Sequence, residues 1–376
     1  MLRILYLAPE HYTGALGLFV KAHRELGNHS RLVTLYRSRS DYSEDICLDL
    51  PLVGSQPRLM NLRRLVYRTH GDKGAHTPLK GNPPVWKSAN MVEKLFFQAR
   101  DTLWAPRISR ALEKYHLLDF DIYHLEGGLG FFRDGRVIRR LKEMNKKIVC
   151  SYHGTDIRQR GVIPQIDAIS DLNLTCELDL ISMHPRLEYL FLPIDTSRFT
   201  PREHQGKART IGHAPTSRYF KGSDAIIRVC RDLENEFGVQ LILIENKPHQ
   251  EALRLKASCD IFIDQISNLG GWGYGMNSLE SLSLGIPTCT NMLPQYEEFL
   301  PDHPFINVDS ENLRERLIAL IQDPELREQK ARQGREWVER RHDIHRVMED
   351  LYGYYRRLGW SGEDGGRGTE SAIGET

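Results

Sequence analysis

The chain has 376 residues, 40% of them hydrophobic and 27% charged, with a formal net charge of +1. That length exceeds one ordinary hydrophobic core, and the balanced charge gives no pull toward nucleic acid, so two soluble globular domains without a nucleic-acid partner are expected. The six cysteines at 47, 150, 176, 230, 259 and 289 form no C-x-x-C pair. Several sit in apolar runs, so they read as free thiols of a reducing, cytoplasmic compartment with no structural zinc.

In chain order, the apolar part of "MLRILYLAPEH" is too short for a signal peptide and reads as a first buried strand. "GALGLFVKAHRELG" has helical spacing and a terminal glycine, and "SRLVTLY" supplies the second strand. From Val53 to about Tyr115 the rhythm breaks. Roughly twelve Lys or Arg stand against four acids there, with Tyr67, Trp86, Phe96, Phe97 and Trp104 interleaved. Two readings of this segment stay open: a helical insertion whose aromatics pack on its own domain, or a surface for an acidic acceptor or anionic lipid headgroups. "FDIYHLEGG" and "KKIVCSYHG" are further strands, separated by the basic helix "GRVIRRLKEMNKK", and "LDLISMHP" and "EYLFLPID" close the first half.

The proline-punctuated, polar stretch "LPIDTSRFTPREHQGKAR" marks a domain boundary, and the rhythm then restarts. "ARTIGHAP" is a strand, "GSDAIIRVCRDLENEFG" a helix, "VQLILIEN" a strand, "PHQEALRLKAS" a helix and "CDIFIDQ" a strand. Helices fill about 310–360, and the glycine-rich, polar tail reads as disordered. No apolar run approaches the ~18 residues of a membrane span. Short β-rich runs alternating with helical patterns predict parallel α/β layers in both halves.

Three stretches carry candidate chemistry. In "GGWGYGMNSLESLSLGIPTCTN" the glycines of a loop after "CDIFIDQ" precede a helix over 276–284, which stops at Gly285 with Pro287 following. The free amides near Gly275, Met276 and Asn277 would face the crevice at the strand ends, a site suited to an anion. Asn277-x-x-Glu280 has the spacing of a capping box; the other reading of Glu280 is a carboxylate holding the two hydroxyls of a ribose. In "HAPTSRYFKGSDAI" a strand ends at His213 and a loop carries Arg218 and Lys221, either as two cations for a diphosphate or as an ordinary solvated basic loop. In "SYHGTDIRQRG" His153, Gly154, Thr155, Asp156 and Arg158 follow a strand's carboxyl end; this is either a substrate-handling cluster or a satisfied histidine beside a turn-capping Asp156.

Together these motifs resemble the family-4 glycosyltransferases, retaining enzymes of the GT-B fold. The run Trp272-Gly273-Tyr274-Gly275-Met276-Asn277-Ser278-Leu279-Glu280, followed by Gly285-Ile286-Pro287-Thr288, is similar to that family's Glu-Gly-Phe-Gly-Leu-x-x-Leu-Glu and Gly-x-Pro-Val. "LPIDTSRFTP", Lys221-Gly222, "HGTD", Gly14 and the final "WVERRHDIHRVMEDLYGYYRRL" match its other signatures in order. Trp272 stands where the family has its first glutamate, and Arg218 lies closer to Lys221 than the family's usual spacing.

The resemblance implies two Rossmann-like domains facing a central cleft: 1–193 for the acceptor, with the 53–115 insertion, and 194–335 for the donor. A helix at 336–360 would cross back to the first domain ahead of the tail at 361–376. It further implies metal-independent transfer of a hexose, with retention, from a nucleotide-diphosphate sugar to the hydroxyl of a glycan, lipid-linked or small-molecule acceptor, with no cofactor. Glu280 would bind the ribose. Amides at Gly275 to Asn277, with Gly273, Tyr274 and Met276 beside them, and the cations Arg218 and Lys221 would hold the diphosphate. His153 would contact the transferred sugar, with Trp272 in the donor pocket. Gly14 and Asp156 would lie on the acceptor or phosphate side, and Asn246 and Lys247 where the base is read. Other readings are a catalytically silent GT-B scaffold and a GT-B nucleotide-sugar epimerase. A dinucleotide-dependent oxidoreductase is disfavoured, because "TGALGLF" misses the G-x-G-x-x-G spacing. The enzyme is expected in the cytoplasm, with a peripheral contact to anionic membrane through 53–115.

Overall fold

The computed structural model describes residues 1–38, 42–52, 81–88, 90–202, 206–271 and 273–361. Two all-parallel sheets organise it. The first has seven strands: β1 (Arg3–Ala8), β2 (His29–Thr34), β3 (Ile46–Cys47), β4 (Ile122–Glu126), β5 (Lys147–Ser151), β6 (Leu172–Thr175) and β7 (Leu187–Tyr189). Their spatial order is β3-β2-β1-β4-β5-β6-β7. The second comprises β8 (Thr210–His213), β9 (Gln240–Leu243), β10 (Ile261–Gln265), β11 (Thr288–Thr290) and β12 (Ile306–Asn307), in the order β12-β11-β10-β8-β9. Strands such as "RILYLA" and "IFIDQ" are buried along nearly their whole length, because helices cover both faces of a parallel sheet.

Strand order locates the clefts. The first sheet reverses direction of growth between β1 and β4, the second between β8 and β10. At such a switch point the connecting loops diverge to opposite faces, and a crevice opens beyond the carboxyl ends of the strands. Gly14 follows β1 and Glu126 ends β4; Lys221 follows β8 and the glycine loop follows β10. Gly14, Lys221 and the glycine loop therefore lie at the two switch points, whereas His153 and Asp156 follow the neighbouring β5 and Asn246 follows β9.

The helix Ile344–Arg357 returns to the first domain. Its Val347, Met348, Leu351 and Tyr355 are fully buried against Tyr6, Val20 and Ile122, each worth about 1.5–3 kcal/mol of burial. The preceding helix, Pro324–Arg341, packs Trp337 on Leu279 and Leu282, and this cluster includes Ile194 of the connecting segment. Of the runs closing the first half, "EYLFLPID" supplies β7, whereas "LDLISMHP" opens with the short helix Leu178–Ile181. Strand β6 comes instead from "LNLT", whose polar Asn173 and Thr175 are buried among hydrogen bonds and so hide its strand character.

The described part of the 53–115 segment is the stretch 81–88 and the helix Met91–Lys114. Trp104 is buried in the first core and donates its indole N–H to the Pro51 carbonyl at 2.6 Å. Arg133 lies over the rings of Trp86 and Phe97. These aromatics thus pack on their own domain; Tyr67 lies outside the described residues.

Candidate active site

The loop between β10 and the helix Met276–Ser283 is shaped by its glycines. Gly273 has φ 77°, and a Cβ there would sit 2.9 Å from the Tyr296 ring. Its carbonyl accepts from Gln265 Nε2 at 2.9 Å and Thr290 Oγ1 at 3.0 Å, which pins the loop to the sheet. Tyr274 turns inward, against Tyr296, Phe305 and Trp337, and its hydroxyl lies 3.0 Å from His342 Nε2. Only its backbone is left near the cleft. Gly275 is the N-cap, and the amides of Met276 and Asn277 have no hydrogen-bond partner among the described residues. Open first-turn amides at a helix start favour an anion.

The capping box does not form. Because Gly275 is the N-cap, Asn277 lies inside the first turn, and its side chain turns sideways. Nδ2 donates to the Ala214 carbonyl at 3.0 Å, and Oδ1 accepts from Lys256 Nζ at 2.9 Å. Glu280, one turn on, is 6% exposed. Its Oε2 lies 2.5 Å from Lys256 Nζ and its Oε1 2.8 Å from His249 Nε2. Burial works against its charge, but the Lys256 ammonium and the His249 hydrogen bond outweigh it and hold the carboxyl below its usual range.

Both partners come from the helix His249–Ala257, seven residues apart and hence two turns along one face. Sequence reasoning passed over them. The available signal was a lysine in register with a histidine on a helix between two apolar, strand-like runs.

Lys221 ends the short helix Arg218–Lys221. Its Nζ lies 2.7 Å from Asp264 Oδ1 and 2.9 Å from Gln265 Oε1, and Ser278 donates to Asp264 Oδ2 at 2.6 Å. One buried carboxylate therefore ties the Lys221 ammonium to the first turn of the helix Met276–Ser283. Burial opposes the charge on Asp264, yet Lys221 and Ser278 keep it below the usual carboxylate range. Arg218 is half exposed and forks onto Glu245 at 2.6–2.8 Å, outside this network. Asn246 stands in the loop after β9 with φ 54°, and Lys247 pairs with Glu251 at 2.7 Å. His213 is a satisfied core histidine bonded to the Ile263 carbonyl and Ser223.

From the first domain, Gly14 has φ 79° and a Cβ on it would meet the Tyr42 ring at 2.8 Å. That ring lies 5.7 Å, centroid to centroid, from His249, so Tyr42 spans from Gly14 to the Glu280 cluster. Burial and then the Glu280 charge push its hydroxyl pKa up. His153 Nε2 lies 2.7 Å from Glu126 Oε1. Burial disfavours the imidazolium, but Glu126 outweighs it and raises the imidazole well above its usual value. Asp156 accepts the His153 amide at 3.0 Å and pairs with Arg160 at 3.5 Å, which is the turn-capping arrangement. Arg158 bonds Glu177 and Asp179 and reaches the Gly270 carbonyl at 3.4 Å, so the first domain meets the glycine loop there. Trp272 lies outside the described residues. Among the described residues no group of three or more His, Cys, Asp or Glu is placed to hold a metal ion, and no helix is long and apolar enough to cross a membrane.

Residues 237–353, which include His249, Lys256 and Glu280, match the family described as Glycosyl transferase-like. An α-glucosyltransferase in complex with UDP and a 13-mer DNA containing a central A:G mismatch is similar at TM-score 0.56 and 10% identity, over 95% of this chain and 100% of that one. AviGT4, a glycosyltransferase involved in avilamycin A biosynthesis, gives TM-score 0.53 at 12% identity, over 96% and 99%. WaaG, a glycosyltransferase involved in lipopolysaccharide biosynthesis, gives 0.50 at 12%, over 93% and 99%. No curated protein sequence matches the chain. At these identities the likeness concerns the fold: this chain has the GT-B fold, two Rossmann-like domains with the last helix packed back on the first.

Proposed function

We propose that the chain is a glycosyltransferase that moves a sugar, with retention, from a nucleotide-diphosphate sugar to an acceptor hydroxyl. The observation that carries this reading is the buried Glu280 carboxylate, held ionised one turn inside a helix whose first amides are open. A ribose offers two hydroxyl donors to such a carboxylate, and the diphosphate then falls on the helix start beside Lys221. The match of 237–353 to a glycosyl transferase-like family supports it.

The leaving diphosphate gains negative charge as the glycosidic bond breaks. Preorganised amides and the Lys221 ammonium stabilise that charge without reorganising, which is where most of the acceleration arises. His153, on the opposing domain with its Nε2 held by Glu126, contacts the transferred sugar. The acceptor hydroxyl attacks on the face that the diphosphate leaves, so no protein nucleophile is needed.

UDP, bound by the structurally similar α-glucosyltransferase, is the first nucleotide to test by thermal shift. A ligand at 100 times its Kd stabilises the native state by about 2.7 kcal/mol. Glu280→Ala should abolish that shift, and an unchanged shift would confine Glu280 to a structural role. The silent-scaffold reading is favoured by Trp272, which stands in place of a carboxylate. Nucleotide binding with neither transfer nor slow hydrolysis of any nucleotide sugar would select it.

We also propose that the acceptor is met at an anionic membrane surface. The helix Met91–Lys114 exposes Met91, Val92, Leu95 and Leu103 alongside Lys94, Arg107 and Arg110. Flotation with anionic vesicles should recover the protein and Leu95→Glu should weaken recovery. Equal recovery with zwitterionic vesicles would count against this surface.

A further inference from the structure

Three neighbouring strands, β4, β5 and β6, each deliver one reactive side chain at or just past their carboxyl ends: Glu126, His153 and Cys176. His153 bridges the other two. Its Nε2 lies 2.7 Å from Glu126 Oε1, and its Nδ1 lies 3.8 Å from Cys176 Sγ. We propose that Glu126, His153 and Cys176 form an imidazole-activated thiol, a modification site for soft carbon electrophiles on the cleft side of the first domain.

The orientation of each partner supports this. Glu126 accepts from Nε2, fixes the ring and favours the imidazolium, leaving Nδ1–H directed at the sulfur. An imidazolium beside a sulfur stabilises the thiolate, which is the nucleophilic form. Cys176 and His153 are both half-buried rather than sealed. Among the described residues, Tyr189, Tyr274 and Tyr296 face Cys176 from other elements, and burial keeps their hydroxyls neutral. The adjacent Glu177 is taken up by Arg158 and the Gly154 amide.

Among the described residues the other five cysteines have no imidazole partner, and four of them are buried. Burial pushes the thiols of Cys150, Cys230 and Cys259 up to about 12, away from the reactive form. Cys47 and Cys289 are also shifted upward by burial.

With iodoacetamide as the probe, Sγ attacks the methylene carbon, the S–C bond forms, the C–I bond breaks and iodide leaves. The thiol proton stays on His153 Nδ1. A thiolate stabilised by a cation gains in population but loses some intrinsic nucleophilicity, so the net advantage at mildly acid pH is about tenfold over a free thiol.

The experiment is timed alkylation of the full chain at pH 6.5, with peptide mapping for each cysteine and N-acetylcysteine as reference. Cys176 should be labelled first, about tenfold faster than the reference. His153→Gln should bring it to the reference rate or below, and Glu126→Gln should slow it in the same direction. Labelling no faster than the reference, or a rate unchanged in His153→Gln, overturns the proposal. If circular dichroism shows His153→Gln unfolded, an unchanged rate in Glu126→Gln overturns it instead. No sugar or nucleotide enters the assay, so its outcome is independent of the glycosyltransferase reading.

Discussion

Replacing Lys256 by Met tests the least anticipated part of the site. Lys256 is 1% exposed and Glu280 6% exposed, and their charged atoms stand 2.5 Å apart. Removing one member of a buried pair leaves the other charge uncompensated, which typically costs about 3–5 kcal/mol. Two features bring the value toward the lower end. His249 still holds Oε1 of Glu280, and the carboxyl can take up a proton instead of remaining charged. Against that, Asn277 Oδ1 also loses its donor.

We therefore expect Lys256→Met to cost about 3 kcal/mol by urea unfolding at pH 7. In a double-mutant cycle with Glu280→Gln, about half of that should return in the double variant, because no charge is then stranded. The UDP-induced thermal shift should disappear in Lys256→Met even where the protein is folded, since Glu280 is no longer aimed. A loss below about 1 kcal/mol, or strictly additive losses in the cycle, would refute the pairing argument.

Lys221→Met should lower turnover about 100-fold, in line with loss of one preorganised charge-stabilising donor. Arg218→Ala should lower it less than about fivefold, because its guanidinium is committed to Glu245; the reverse ranking would exchange their roles. Acid should weaken the fold early. His23 and His342 are fully buried, and burial holds each imidazole down to about 3. Below pH 6.5 the unfolded chain takes up protons that the folded one refuses, so stability falls from there toward pH 3. At pH 5 that amounts to about 2 kcal/mol for each histidine. Asp264 and Glu280, depressed in the fold, keep their contribution until lower pH. A urea midpoint unchanged between pH 7.5 and pH 5 would rule this out.

Hydrophobic period and turn chemistry were enough to place most strands of both sheets and the helices between them. A buried parallel strand must be apolar throughout, and a helix must end where glycine or proline permits. For the same reason Gly273, Gly275, Lys221 and His153 were legible: each follows a strand, at a position where the parallel α/β layout opens a crevice. Strand β6 was less legible, because its buried Asn173 and Thr175 are satisfied by partners that sequence spacing does not reveal. The partners of the candidate residues were not legible at all. Asn277-x-x-Glu280 has the same spacing whether it caps a helix or not; the choice was made by Gly275 taking the N-cap and by Lys256 arriving from another helix. Tyr274 looked like a cleft residue by position, yet the space beside Trp337 and His342 drew its ring into the interior. The alignment of Glu126, His153 and Cys176 depends on β4, β5 and β6 being neighbours in register. Local sequence sets which groups reach a strand's end; only the packing of distant segments decides which of those groups touch.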